Sequence, residues 1–154
     1  MVGNNFLKGT STFTSLTDDE IQKVSGYLQR QAYFRGEKIY GEDEPGGKLY
    51  IICHGEVGLS RVLREGEHHT LITLGKGQSF GCISLLDGRP HSATAKALTD
   101  AEVFILSRGD FNRICQDNPV CAIKLMRVLA SSLCEYLRRM NAKFSDMVNY
   151  VSLD

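Results

Sequence analysis

The sequence has no tryptophan, three prolines and no net charge, since eighteen Lys and Arg balance eighteen Asp and Glu among 154 residues. A balanced chain has no overall field to recruit nucleic acid or to hold the protein on an anionic membrane, although a local basic patch is compatible with it. Long apolar runs are also missing. Stretches such as Val103 to Leu106 end after a few residues, so no bilayer-spanning helix is expected. The opening MVGNNFLKGTSTFTSL lacks the basic-then-apolar order of a secretory leader, which makes a soluble, cytoplasmic protein the expectation. Cys53, Cys82, Cys115, Cys121 and Cys134 are odd in number and scattered, with no C-x-x-C among them. That pattern suggests neither a disulfide framework nor a zinc site, and most of them read as small buried hydrophobes. There is no G-x-S-x-G, no H-E-x-x-H and no P-loop lysine. Catalysis is therefore not expected.

What is present is ordinary globular usage, 42% apolar and 23% charged, at a length suited to one compact domain. Residues 1–16, rich in Ser, Thr, Gly and Asn, read as an arm. Thr17-Asp18-Asp19-Glu20 has capping-box spacing and is followed by Ile21, Val24 and Leu28, which predicts an amphipathic helix over about 17–30. From Ala32 to Leu106 the texture changes to short apolar strands cut by turns. Strands are expected at Leu49–Cys53, Glu56–Leu63, His69–Leu74, Ser92–Leu98 and Glu102–Leu106, with turns at 42–47, His54-Gly55 and 64–67. This regular punctuation predicts an antiparallel barrel or jelly roll. His68-His69, beside the 64–67 turn, reads as exposed.

The last third reads as helical. Ser107 to Asp110 caps a short helix ending near Asp117, and Asn118-Pro119 starts another. Leu125, Leu129, Leu133, Tyr136, Met140, Phe144, Met147 and Val151 then continue one apolar stripe at spacings of three and four. A helix of about 30 residues spans about 45 Å, more than a small barrel can cover. The expectation is that residues 119–150 pair with a second copy. Lys124, Arg127, Arg138, Arg139 and Lys143 outnumber Glu135 and Asp146 on it, which a solvated face explains. No further helix pair follows to enter a groove, so direct DNA binding by this chain is not expected. The organisation is thus an arm (1–16), a helix with a β-roll (17–118) and a long C-terminal helix (119–150).

The most informative segment is Phe80-Gly81-Cys82-Ile83-Ser84-Leu85-Leu86-Asp87-Gly88-Arg89-Pro90-His91-Ser92-Ala93-Thr94-Ala95-Lys96-Ala97. It reads as strand, glycine, one helical turn, tight turn and return strand. The glycine permits close backbone approach, and free N–H groups of the short helix face the space above it, an arrangement suited to an anion such as a phosphate.

In these residues the sequence resembles the cyclic nucleotide-binding domain family. The resemblance runs from about Phe13 to Met140. It rests on Gly36-Glu37-x-Ile39, Glu42, Pro45-Gly46, Leu49-Tyr50-Ile51-Ile52, Gly55-Glu56-Val57, Gly66, Leu74-x-x-Gly77-x-x-Phe80-Gly81, Ser92-Ala93-Thr94-x-x-Ala97, Phe111 and Pro119. It implies a mainly β fold with flanking helices, an eight-stranded β-roll of jelly-roll type plus a long C-terminal helix. It also implies a ligand-binding cassette made of Phe80, Gly81, Cys82, Ile83, Ser84, Leu85, Arg89, His91, Ser92 and Ala93, with Tyr136 of the long helix as a candidate to stack on a base. Asp43 stands at a turn-glycine position of the family, which Asp tolerates because it can adopt a left-handed conformation.

Two positions depart from the family pattern. Where cyclic nucleotide-binding members have a glutamate for the ribose hydroxyl, this chain has Cys82. Where they have an arginine for the cyclic phosphate, it has His91. A charge-assisted hydrogen bond contributes roughly 1.5–3 kcal/mol, so loss of the arginine alone weakens phosphate binding about ten- to a hundredfold. The amides of Ile83 to Leu85, the Ser92 hydroxyl, a protonated His91 or Arg89 are the available replacements. Three readings stay open. One is a sensor for a small nucleotide (cAMP or another) or other anion that relays through the C-terminal helix to an unidentified downstream protein. The second is a degenerate, dimeric interaction module that binds no cyclic mononucleotide. In the third, Cys82 and His91 form a redox or metal sensor, for which two ligands are too few.

Overall fold

A computed structural model describes residues 4–152. Two four-stranded antiparallel sheets form a β-roll, in the orders β1-β8-β3-β6 and β2-β7-β4-β5. The first sheet contains β1 (Gln29–Tyr33), β3 (Lys48–His54), β6 (Ser79–Phe80) and β8 (Ala101–Ser107), and the second β2 (Lys38–Tyr40), β4 (Val57–Val62), β5 (His68–Leu74) and β7 (Thr94–Ala97). Helices α1 (Asn4–Lys8) and α2 (Asp18–Ser25) precede the roll, α3 (Cys82–Asp87) interrupts it, and α4 (Arg108–Asp117) and α5 (Pro119–Val151) follow it. The eight-stranded roll and the long terminal helix match the architecture expected from the sequence.

The continuous apolar runs of β3 and β8 are explained by burial on both faces. Side chains alternate along a strand. Tyr50, Ile52, Val103 and Ile105 therefore enter the interior of the roll together with Tyr40, Val57, Leu74 and Phe80. Leu49, Ile51, Phe104 and Leu106 point the other way, into a second cluster with Ile21, Val24, Phe111, Ile114, Leu125 and Leu129 from the helices. The segment read as an arm supplies Leu7, Phe13 and Leu16 to that same cluster.

The capping box forms as the sequence predicts: Thr17 Oγ1 accepts from the Glu20 amide, and the Glu20 carboxylate accepts from the Thr17 amide. The helix stops at Ser25 rather than near residue 30. Residues Gln29–Tyr33 instead pair antiparallel with β8, Gln29 opposite Ile105 and Tyr33 opposite Ala101, so sheet pairing overrides the helical spacing of Leu28. Glu20 has a second role. It accepts two bonds from Lys124 Nζ at 2.8 and 2.9 Å, which clamp α2 onto α5.

Candidate functional site

The cassette begins where β6 pairs with β3, Phe80 opposite Tyr50. Gly81 follows at φ 84°, and an added Cβ there would lie 2.5 Å from the Lys48 carbonyl oxygen, so the step from strand to helix needs glycine. The single turn of α3 is anchored by Leu85, which is buried in the helix-side cluster with Phe111, Ile114 and Leu125. Gly88 closes it at φ 69°, its amide bonded to the Ser84 carbonyl at 2.9 Å.

Ser84 joins three segments. Its buried hydroxyl accepts from the Gly47 amide at 3.1 Å, donates to the Gly81 carbonyl at 3.2 Å and lies 3.4 Å from His91 Nδ1. With the hydroxyl proton on the Gly81 carbonyl, the network is satisfied when Nδ1 carries the imidazole proton. Gly46 is packed so closely that a Cβ would come within 2.4 Å of the Ser84 Cβ. The turn containing Pro45, Gly46 and Gly47 thus lies directly against α3.

His91 is 5% exposed. Its ring stacks on Tyr40 with centroids 3.5 Å apart and planes within 7°. Its backbone is held in both directions: the Asp43 amide donates to the His91 carbonyl and the His91 amide to the Glu44 carbonyl, each at 3.0 Å. Asp43 adopts φ 67°, the left-handed conformation expected of it from the sequence. Burial lowers the basicity of His91; the Glu44 carboxylate opposes this and Lys48 adds to it. Burial also raises the Cys82 thiol, against the pull of the Cys82 and Ile83 amides. Burial thus disfavours the charged form at both positions in the free domain.

The depressed His91 basicity has a consequence for stability. Unfolded, the ring takes up a proton near its ordinary value of 6.5, while the folded chain resists protonation until lower pH. The unfolded state thus binds more protons in that window, and stability falls as pH drops through it. Denaturant unfolding at pH 7.5 and pH 5.5 should show the native chain losing more stability than His91→Gln. Equal losses would contradict this.

The remaining expected site residues are placed as follows. Phe80 is buried and stacks on Tyr50 with centroids 4.9 Å apart. Ile83, Arg89 and Ser92 are exposed, and Ala93 and Cys82 are half-buried. The Arg89 amide bonds Asp87 Oδ1. Tyr136 is 49% exposed on α5, and among the described residues no hydrogen bond or ring stack joins it to the cassette. Tyr40 is the site residue missed by sequence reading. Its only signal was the alternation of Lys38-Ile39-Tyr40, too short to separate a site residue from core.

The cyclic nucleotide-binding domain family matches residues 30–118. The chain belongs to this family. It is 36% identical over 129 residues to the Cyclic AMP receptor protein of Thermus thermophilus, covering 84% of this chain and 60% of that protein. It is 34% identical over 110 residues to the cAMP-dependent protein kinase regulatory subunit of Debaryomyces hansenii, covering 71% of this chain and 24% of that one. The crystal structure of Thermus thermophilus Catabolite Activator Protein superposes with a TM-score of 0.80 at 32% identity, over 88% of this chain and 62% of that chain. The N-terminal domain of a Streptomyces coelicolor A3(2) transcriptional regulator gives 0.77 at 28% identity, over 88% and 94%. The chain thus spans 60% of its receptor relative and 24% of its kinase-subunit relative. By their names these relatives are receptors and regulatory proteins. Among the described residues no helix of this cyclic nucleotide-binding domain is long and apolar enough to cross a membrane.

Proposed function

We propose that this domain is a regulatory module that senses a small nucleotide or other anionic ligand at its modified cassette and relays the event through α5 to a downstream protein in the cytoplasm. The observation that carries this reading is the intact backbone of the cassette, with Gly81 at φ 84° leading into α3. Its anchor, Leu85, shares one apolar cluster with Phe111, Leu125 and Leu129. A shift of α3 therefore presses directly on α4 and α5, and interiors packed at this density transmit displacement. Relatives named for cAMP make cAMP the first ligand to try. With Cys82 and a buried His91 in place of the glutamate and arginine, its affinity is expected to be weaker than an arginine–glutamate cassette gives, by ten- to a hundredfold or more.

Calorimetric titration with cAMP and cGMP, with a thermal-shift screen of other nucleotides, tests the reading. Micromolar binding supports it. Silence from all of them, in a chain that forms a stable dimer, overturns it in favour of a module that acts through protein contacts alone. The exposed apolar side chains along the distal half of α5 favour that second reading.

A further inference from the structure

From Asp87 to Ser92 every residue is exposed except His91. One side chain of the return segment is turned inward, and it ends an aromatic column inside the roll. The imidazole lies on Tyr40, whose ring centroid is 5.5 Å from that of Tyr50 and 6.0 Å from that of Phe80. Its Nδ1 also lies 3.4 Å from the Ser84 hydroxyl in the first turn of α3. A histidine serving only as packing needs neither a stacked partner nor a seat on the cassette. This one has both, at the position where the family resemblance implies the phosphate-binding arginine.

We propose that the cassette is self-occupied: the His91 ring, stacked on Tyr40 and seated on Ser84, is an internal plug that an incoming ligand must displace, which makes Tyr40 and His91 the residues that set access to the site. The inference rests on the reading of this cassette as the ligand site. The plug is held by the two backbone bonds between His91 and residues 43 and 44. The loop they belong to is pinned in turn, since the Glu42 carboxylate accepts from Arg61 Nε and the Val62 amide and the Glu42 amide donates to Thr94 Oγ1. Displacement therefore requires only the side chain to leave, with its backbone fixed. A closed state of this kind lowers apparent affinity by the fraction of molecules that are open.

The test uses His91→Ala, which removes the ring, and Tyr40→Leu, which removes its stacking partner while keeping every residue from Phe80 to Ala93; the second covers failure of the first to fold. Two readouts are taken: calorimetric affinity for cAMP, and hydrogen exchange at the amides of Cys82 to Leu85 without ligand. The expected result is faster exchange at these amides in both variants and, where cAMP binds, affinity raised about tenfold over the native chain. Unchanged exchange, or equal cAMP affinity in native chain and variants, overturns the plug. Faster exchange with no cAMP binding to any of the three proteins upholds the plug and overturns cAMP as the ligand.

Discussion

If two copies pair through α5, as the sequence predicts, Met140→Glu combined with Phe144→Glu is expected to leave a folded monomer. Helix α5 has 33 residues and is therefore about 50 Å long, yet its buried residues, Cys121, Ala122, Leu125 and Leu129, all lie near its start. Beyond them Tyr136, Leu137, Met140, Phe144, Met147, Val148, Tyr150 and Val151 are exposed in the single chain. Leu133, Leu137, Met140, Phe144, Met147 and Val151 alternate spacings of four and three, the repeat of a two-helix seam. Phe144, Met147, Val148 and Val151 also line a shallow hollow, which a second helix could fill. Each apolar side chain of this size contributes roughly 1.5–3 kcal/mol when fully buried, and two-fold symmetry counts each one twice. Introducing glutamate at both positions should raise the dimer dissociation constant at least ~10⁴-fold. Sedimentation equilibrium checks the mass, and circular dichroism checks that the roll is still folded. A native chain that sediments as a monomer at tens of micromolar would sink the dimer.

The parts of this fold that were legible in the sequence are those where one local rule dominates. The capping box at Thr17 and Glu20, the apolar runs of β3 and β8, and Pro119 opening α5 each express a single strong preference. Strand β1 was not legible. Gln29-Arg30-Gln31-Ala32 is exposed on both faces, so it carries no alternation, and it is a strand only because β8 offers a free edge. The motif around Gly81 located the cassette because a left-handed glycine and a one-turn helix are both local features. The state of His91 was hidden for the opposite reason. Arg89, Pro90 and Ser92 around it are exposed, and the ring that decides its orientation, Tyr40, belongs to a distant strand. Nothing local distinguishes an imidazole that faces solvent from one that fills the roll. Whether the His91 ring is buried or open to solvent is decided by packing, a property that only the assembled roll possesses.

Gly81→Ala should cost far more than Gly36→Ala, although both glycines sit at φ 84°. The shared backbone strain of a left-handed alanine is about 1–2 kcal/mol. At Gly36 nothing lies within 4 Å of the added Cβ, so the cost ends there. At Gly81 the methyl would lie 2.5 Å from the Lys48 carbonyl oxygen and 3.1 Å from Tyr50 Cδ2. The first is backbone of the central strand β3, which cannot yield without disturbing its pairing to β8. Overpacking of that kind adds about 1–3 kcal/mol, for a total of about 2–5 kcal/mol. In a chain of this size that corresponds to roughly 5–20 °C in Tm, against about 2–8 °C for Gly36→Ala. The alternative to unfolding is for α3 to move away, and α3 cannot move alone. Leu85 is fixed in the cluster shared with α4 and α5, and Ser84 is bonded to Gly47. A displaced α3 would thus also loosen the seat of His91 and expose its ring. Thermal unfolding of the two variants checks the difference. Equal losses would show that the approach of Gly81 to β3 does not hold the cassette, and that α3 is positioned by Leu85 and Ser84 instead.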